Sequence, residues 1–69
     1  MTNTALLNNR IADSGIKKGK IASALGITRT ALWQKTNNKR DFKASEIKML
    51  CDMLGVDSLQ EKEQIFFAN

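Results

Sequence analysis

Apolar side chains recur along the chain with the three- and four-residue spacing that places them on one face of an α-helix. Leu7 and Ile11 share one such face with Ser14, and a second face consists of Ile21, Ala22 and Leu25. Gly15 and Gly26 follow these faces where a left-handed residue can close a helix. The pattern therefore predicts a first helix over about residues 4–14 and a short second helix from about Lys18.

Three further helices are predicted in the rest of the chain. Thr28 is a good N-cap residue for a third helix that ends near Thr36. The fourth helix is closed by Gly55, and its face, spaced i, i+3, i+4 and i+7, consists of Ile47, Leu50, Cys51 and Leu54. Ser58 and Glu61 have the spacing of a capping box, so a fifth helix is predicted over about residues 59–66.

These patterns predict one all-α domain over residues 1–69, because a chain of this length has room for a single small core. Apolar and polar residues never alternate over a useful length, so no β-strand is predicted. Phe42 is the only apolar residue of the loop 37–43, and we expect it to pin this loop to the core. No apolar run approaches the roughly 18 residues that span a bilayer and no signal-peptide core is present, which predicts a cytoplasmic location.

The chain lacks the residues on which many enzymes and metal sites depend. Cys51 is its one cysteine and it has no histidine, so a disulfide framework, an ordinary zinc site and Ser-His or Cys-His catalysis are excluded within one chain. No glycine-rich loop has the spacing that cradles phosphates. We therefore expect no enzymatic activity, no metal and no cofactor, and we expect Cys51 to be an inert core residue.

Positive charge is concentrated in the middle of the chain. The net charge is +4, but residues 17–43 hold eight basic residues against Asp41 and sum to +7. Residues 1–16 sum to zero, and residues 44–69 sum to −3. Lysines that only solvate helices would be scattered among acidic residues, so this distribution predicts a surface that binds a polyanion.

The basic stretch contains a tight two-helix corner at residues 18–34, with the sequence KGKIASALGITRTALWQ. Ala22 allows the two helices to approach closely, Gly26 makes the turn and Ile27 plugs the corner. The residues expected to point outward from the third helix are Thr28, Arg29, Thr30, Trp33, Gln34 and, in one alternative, Lys35. Arginine can donate two hydrogen bonds to guanine, glutamine can pair with adenine, and threonine methyls can contact the thymine methyl. The corner therefore predicts a helix-turn-helix that contacts bases in the major groove.

The sequence resembles the helix-turn-helix domains of the Cro and repressor family of temperate phages, the lambda-type or XRE-like group, and is most similar to short forms from Gram-positive hosts. The resemblance covers nearly the whole chain. It rests on IASALGITRTAL in the corner, on NNKRDF where the family usually has an Asn-Gly loop, and on SEIKMLCDMLGV with the terminal QIFF. It implies a compact five-helix, lambda-repressor-like DNA-binding domain whose helix-turn-helix is formed by helices two and three.

The resemblance also implies roles for single residues. In the family pattern the first residues of helix three, and one residue a turn later, contact bases. This implies base contacts by Arg29, Thr30 and Gln34, with Thr28 beside them. Lys18 matches the phosphate-contacting start of helix two, and the basic loop is similar to a second phosphate clamp. With their neighbours, the residues predicted to bind phosphate are Lys17, Lys18, Lys35, Lys39, Arg40 and Lys43. Lys17 and Lys43 stand where the family usually has a Ser or Thr cap.

The remaining apolar side chains leave alternatives open. Trp33 could pack over the loop, lie along a sugar-phosphate stretch or touch a partner; we favour packing, because burying so large a side chain stabilises a small fold. A second apolar set either packs internally or forms an exposed patch that pairs two chains or binds a partner, and it consists of Met49, Met53, Ile65, Phe66 and Phe67. A homodimer would suit two DNA half-sites about one helical turn apart.

The leading hypothesis is a sequence-specific double-stranded DNA-binding transcriptional regulator, a repressor of the phage Cro type that binds an operator, with no small-molecule substrate and no membrane. The alternative is a protein-interaction modulator, an anti-repressor or antitoxin-like module that uses the same fold to bind a repressor or another partner protein. Salt dependence separates them, because binding to phosphates weakens steeply with added salt and an apolar protein complex does not.

Overall fold

A computed structural model of the protein describes residues 1–68 and contains five α-helices in that range. Their bounds are α1 Thr4–Ser14, α2 Lys18–Leu25, α3 Arg29–Thr36, α4 Ala44–Leu54 and α5 Leu59–Phe66. The five predicted helices are confirmed, and residues 1–68 contain no β-strand. No helix in this range is long and apolar enough to cross a membrane.

The helices pack around one core. α2 lies against α3 and α4, while α1 lies against α3, α4 and α5. The Cα radius of gyration is 10.7 Å, close to the value of about 11 Å expected for a compact chain of this length. The buried apolar side chains are Leu7, Ile11, Ile21, Ala22, Leu32, Leu50, Cys51, Leu54, Val56, Ile65 and Phe66. The predicted core position of Cys51 is therefore confirmed, and burial raises the pKa of its thiol, which keeps the sulfur neutral.

The turn between α2 and α3 is made by a left-handed glycine. Gly26 has φ +71°, a conformation that side chains with a Cβ rarely adopt. The amide of Ile27 donates to the carbonyl of Ala22 at 3.0 Å, which closes the end of α2. The Ile27 side chain packs against the core, as predicted. Thr28 then caps α3, because its Oγ1 accepts from the Ala31 amide at 3.0 Å.

Two helices begin without a side-chain cap, because lysine has only donor atoms. Lys17 precedes α2 and its side chain makes no capping hydrogen bond. Lys43 precedes α4, and there Glu46 supplies the reciprocal half of a capping box: its Oε1 accepts from the Lys43 amide at 2.8 Å. A side chain of α4 thus accepts a hydrogen bond at the start of that helix, whereas no side chain caps the start of α2.

The second apolar set, for which the sequence left internal packing and an exposed patch open, is divided between the two. Ile65 and Phe66 are buried, because the last turn of α5 points into the core. The ring of Phe66 meets Phe42 edge to face, with centroids 5.7 Å apart, which confirms that Phe42 pins the loop 37–43 to the core. Met53 is half-buried and packs against the core. Only Met49 and Phe67 of the predicted set are exposed.

Substituting two glycines of the second helix and its turn should change stability in opposite directions. Gly19→Ala is expected to raise the free energy of unfolding by about 0.5–1 kcal/mol, because Gly19 lies inside α2 and its ideal Cβ meets only Arg29 Cδ, at 3.7 Å. Gly26→Ala is expected to lower it by about 1–2 kcal/mol, because φ is positive there. Urea unfolding followed by circular dichroism measures both, and shifts of the same sign would contradict this account of the corner.

Candidate nucleic-acid interface

The outward face of α3 carries exposed side chains from its cap and first turn. Thr28, Arg29 and Thr30 are all exposed, as the sequence predicted for base contacts. Gln34 lies one turn later and is half-buried, and its carbonyl accepts from the amides of Lys39 at 2.7 Å and Arg40 at 3.3 Å. The predicted base-contacting residues therefore share one helix and its cap, but Gln34 is less accessible than the other three.

Basic groups lie beside both ends of α3. At its first turn, Lys18 borders the same cleft as Arg29 and Thr30. At its last turn, the loop 37–43 folds back through the two hydrogen bonds to Gln34 and carries three exposed cations, Lys39, Arg40 and Lys43. Lys17 is also exposed, at the uncapped start of α2, where the helix dipole adds a partial positive charge.

Asn38 fixes the basic loop to the start of the chain, a role that the sequence analysis missed. Its φ is +61°, which asparagine tolerates better than most residues. Its side chain pairs with the backbone of Thr2: Oδ1 accepts from the Thr2 amide at 2.9 Å, and Nδ2 donates to the Thr2 carbonyl at 2.8 Å. Left-handed tolerance was visible in the sequence, but nothing in it indicated a partner thirty-six residues away.

The prediction that Lys35 binds phosphate is wrong. Its side chain is only 3% exposed, and Nζ donates to Glu46 Oε1 at 2.6 Å and to Oε2 at 2.8 Å. Lys35 follows Gln34 by one residue, and the helical rotation of about 100° carries its side chain from the outward face to the side that meets α4. The lysine is therefore a link between α3 and α4.

Glu46 is held in its charged form by its neighbours. Burial alone would raise the pKa of this carboxyl, but the hydrogen bonds from Lys35 and the Lys43 amide, and then the charges of both lysines, outweigh burial and leave the pKa below its ordinary value of 4.5. One carboxylate thus neutralises a buried lysine and closes the first turn of α4.

Trp33 is exposed, contrary to the favoured interpretation that it packs on the fold. Its side chain is 56% exposed and borders a cleft of about 380 Å³ between α1, α2 and α3. Thr36, three residues further along α3, is buried and donates through Oγ1 to the Trp33 carbonyl at 3.1 Å. The cleft is lined by Ile11, Lys18, Arg29, Thr30, Leu32, Trp33 and Thr36.

Comparisons with protein-family models, with curated proteins and with solved structures find no significant match to the chain. Among residues 1–68, no three His, Cys, Asp or Glu side chains come together as a group that could hold a metal ion.

Removing the Lys35 ammonium should destabilise the protein. Lys35→Met is expected to lower the free energy of unfolding by about 3–5 kcal/mol, because the Glu46 carboxylate is left buried without its counter-charge. Lys35→Met with Glu46→Gln should recover much of this loss, since the neutral amide still accepts from the Lys43 amide. Urea unfolding provides the measurement, with Lys39→Met on the exposed loop as the matched control. Equal effects of Lys35→Met and Lys39→Met would contradict the buried ion pair.

The lowered pKa of Glu46 predicts a loss of stability in acid. Its folded value lies below the unfolded value, so its contribution is fully present above about pH 4.5 and is lost as pH falls through the folded pKa. Glu46→Gln should therefore give a flatter profile of unfolding free energy from about pH 6 to about pH 3. Unfolding in urea at each pH tests this, and parallel profiles for the two proteins would contradict it.

Proposed function

We propose that this protein is a sequence-specific double-stranded DNA-binding transcriptional regulator in which α2 and α3 act as a helix-turn-helix. In this proposal the domain is lambda-repressor-like, α3 enters the major groove, and the protein represses transcription from an operator in the cytoplasm. The observation that carries the proposal is the outward face of α3: exposed side chains suited to base edges lie between basic groups at both ends of the helix.

The proposed base contacts follow from side-chain chemistry. Arg29 presents a guanidinium that can donate two parallel hydrogen bonds to guanine O6 and N7. The methyls of Thr28 and Thr30 can contact thymine, and the Gln34 amide can pair with adenine if its half-buried side chain extends into the groove. Arg29 is therefore the residue expected to contribute most to discrimination between sequences.

Phosphate binding is assigned to the exposed cations around this face. They are Lys17, Lys18, Lys39, Arg40 and Lys43. Each phosphate that they neutralise releases counterions, so affinity should fall steeply with salt. No catalytic step is part of the proposal, because duplex binding and steric exclusion suffice for repression. A homodimer on two half-sites belongs to the proposal, with Met49 and Phe67 as the exposed apolar residues available for pairing.

A protein-interaction modulator is the second candidate, and one observation favours it. Phe67 is 60% exposed at the end of α5, and Met49 is exposed on α4, so apolar side chains remain uncovered in the isolated chain. Aromatic anchors of this kind dominate many protein interfaces. A complex with a repressor that persists in high salt, in a protein with no duplex affinity at low salt, would favour this candidate over the first.

Two substitutions should separate base contacts from phosphate contacts. After selection of bound duplexes from a random pool, Arg29→Ala is expected to cost about 1–3 kcal/mol on the selected duplex and far less on random duplex. Lys39→Ala should weaken both duplexes alike and reduce the slope of log affinity against log salt by about one.

Gel-shift titrations at several salt concentrations measure these changes. Lys48→Ala, an exposed lysine of α4 outside the basic stretch, is the matched control and should leave both affinities nearly unchanged. If Arg29→Ala lost affinity equally on selected and random duplex, its assignment to a base would fail. A pool that showed no enrichment at all would overturn the proposed function.

A further inference from the structure

The cleft beside Trp33 combines an apolar surface with two cations. Its floor contains the buried side chains Ile11 and Leu32, and Trp33 forms a wall that is more than half exposed. Lys18 and Arg29 also border it, and neither makes an ion pair with any residue in the range 1–68. An apolar wall beside free cations is complementary to a ligand with an uncharged carbon framework and an adjacent negative charge.

The indole is attached to a fixed segment of α3. The backbone carbonyl of Trp33 accepts three hydrogen bonds, from the Asn37 amide at 3.1 Å, from Asn37 Nδ2 at 2.9 Å and from Thr36 Oγ1 at 3.1 Å. On the facing side, the stem of Arg29 passes over Gly19 with Cδ 3.7 Å from the ideal Cβ position. The helices that carry the cations and the ring are thus packed, so the backbone of the site is in place before a ligand binds.

We propose that this cleft receives one strand of the DNA backbone, with a deoxyribose against the Trp33 indole and its phosphate at Lys18. The inference rests on the proposed function and adds a contact to it. A duplex hides the faces of its bases by stacking, so the surfaces it presents at the edge of the groove are sugar carbons and phosphate oxygens. Contacts to these groups set the position of a protein on DNA without selecting a sequence.

The contact would be made on any duplex, because every nucleotide carries the same deoxyribose and phosphate. Loss of the ring should weaken selected and random duplex together, unlike loss of Arg29.

Trp33 can be observed directly, because the chain has one tryptophan and no tyrosine. Addition of the selected duplex to the unmodified five-helix protein should shift the Trp33 emission and lower its quenching by acrylamide severalfold. Trp33→Ala should reduce affinity about tenfold on both duplexes, and Trp33→Phe should lose less. Leu59→Ala is the control and should leave both affinities unchanged, since it removes an exposed apolar side chain outside the cleft and outside every proposed contact.

Methylphosphonate substitution along each strand then locates the phosphate. One neutralised position should weaken the wild-type protein and have little further effect on Lys18→Ala. If duplex binds in the gel shift while acrylamide quenching is unchanged, the inference is overturned and the proposed function stands. If no duplex binds, both fall, and quenching protection by a repressor protein instead would assign Trp33 to a protein partner.

Discussion

The ion pair between Lys35 and Glu46 is the constraint on which the orientation of α3 depends. Both side chains are buried, 3% and 7% exposed, so loss of one charge leaves the other buried without a counter-charge. With Lys35 held on the α4 side, the helical repeat turns Arg29 and Thr30 outward. The same carboxylate closes the first turn of α4. The buried pair thus acts together with Leu32 and Thr36, the other buried residues of α3, in holding one face of this short helix toward the core.

The helix bounds could be predicted because local chemistry determines them. Gly15, Gly26 and Gly55 take the left-handed conformations that end α1, α2 and α4, and Thr28 and Ser58 accept from the amides that α3 and α5 leave unpaired. These interactions join residues that are close together in the sequence, so the residue types at those positions predict them. Exposure of Thr28, Arg29 and Thr30 could be predicted for the same reason, since Thr28 is a recognisable cap and the other two directly follow it.

Two features could not be predicted in this way: which face of α3 meets the core, and whether the last turn of α5 is buried. α3 has eight residues and only Leu32 as a fully buried apolar side chain, so its apolar pattern does not define a face. The pattern therefore does not predict that Lys35 is buried, and it does not decide whether Trp33 packs over the loop or stays exposed; the structure buries the lysine and exposes the tryptophan. Whether Ile65 and Phe66 fill the core or cover a partner depends on how α5 docks on α1, which is a property of distant contacts.

The pairing of Asn38 with Thr2 has a practical consequence for how this protein is handled. It ties the backbone of Thr2 to the loop that carries Lys39 and Arg40, so a segment attached ahead of Thr2 leaves the fold beside this loop. A bulky or acidic affinity tag at that end would crowd or neutralise these side chains. Such a tag should therefore be removed before binding to this loop is measured.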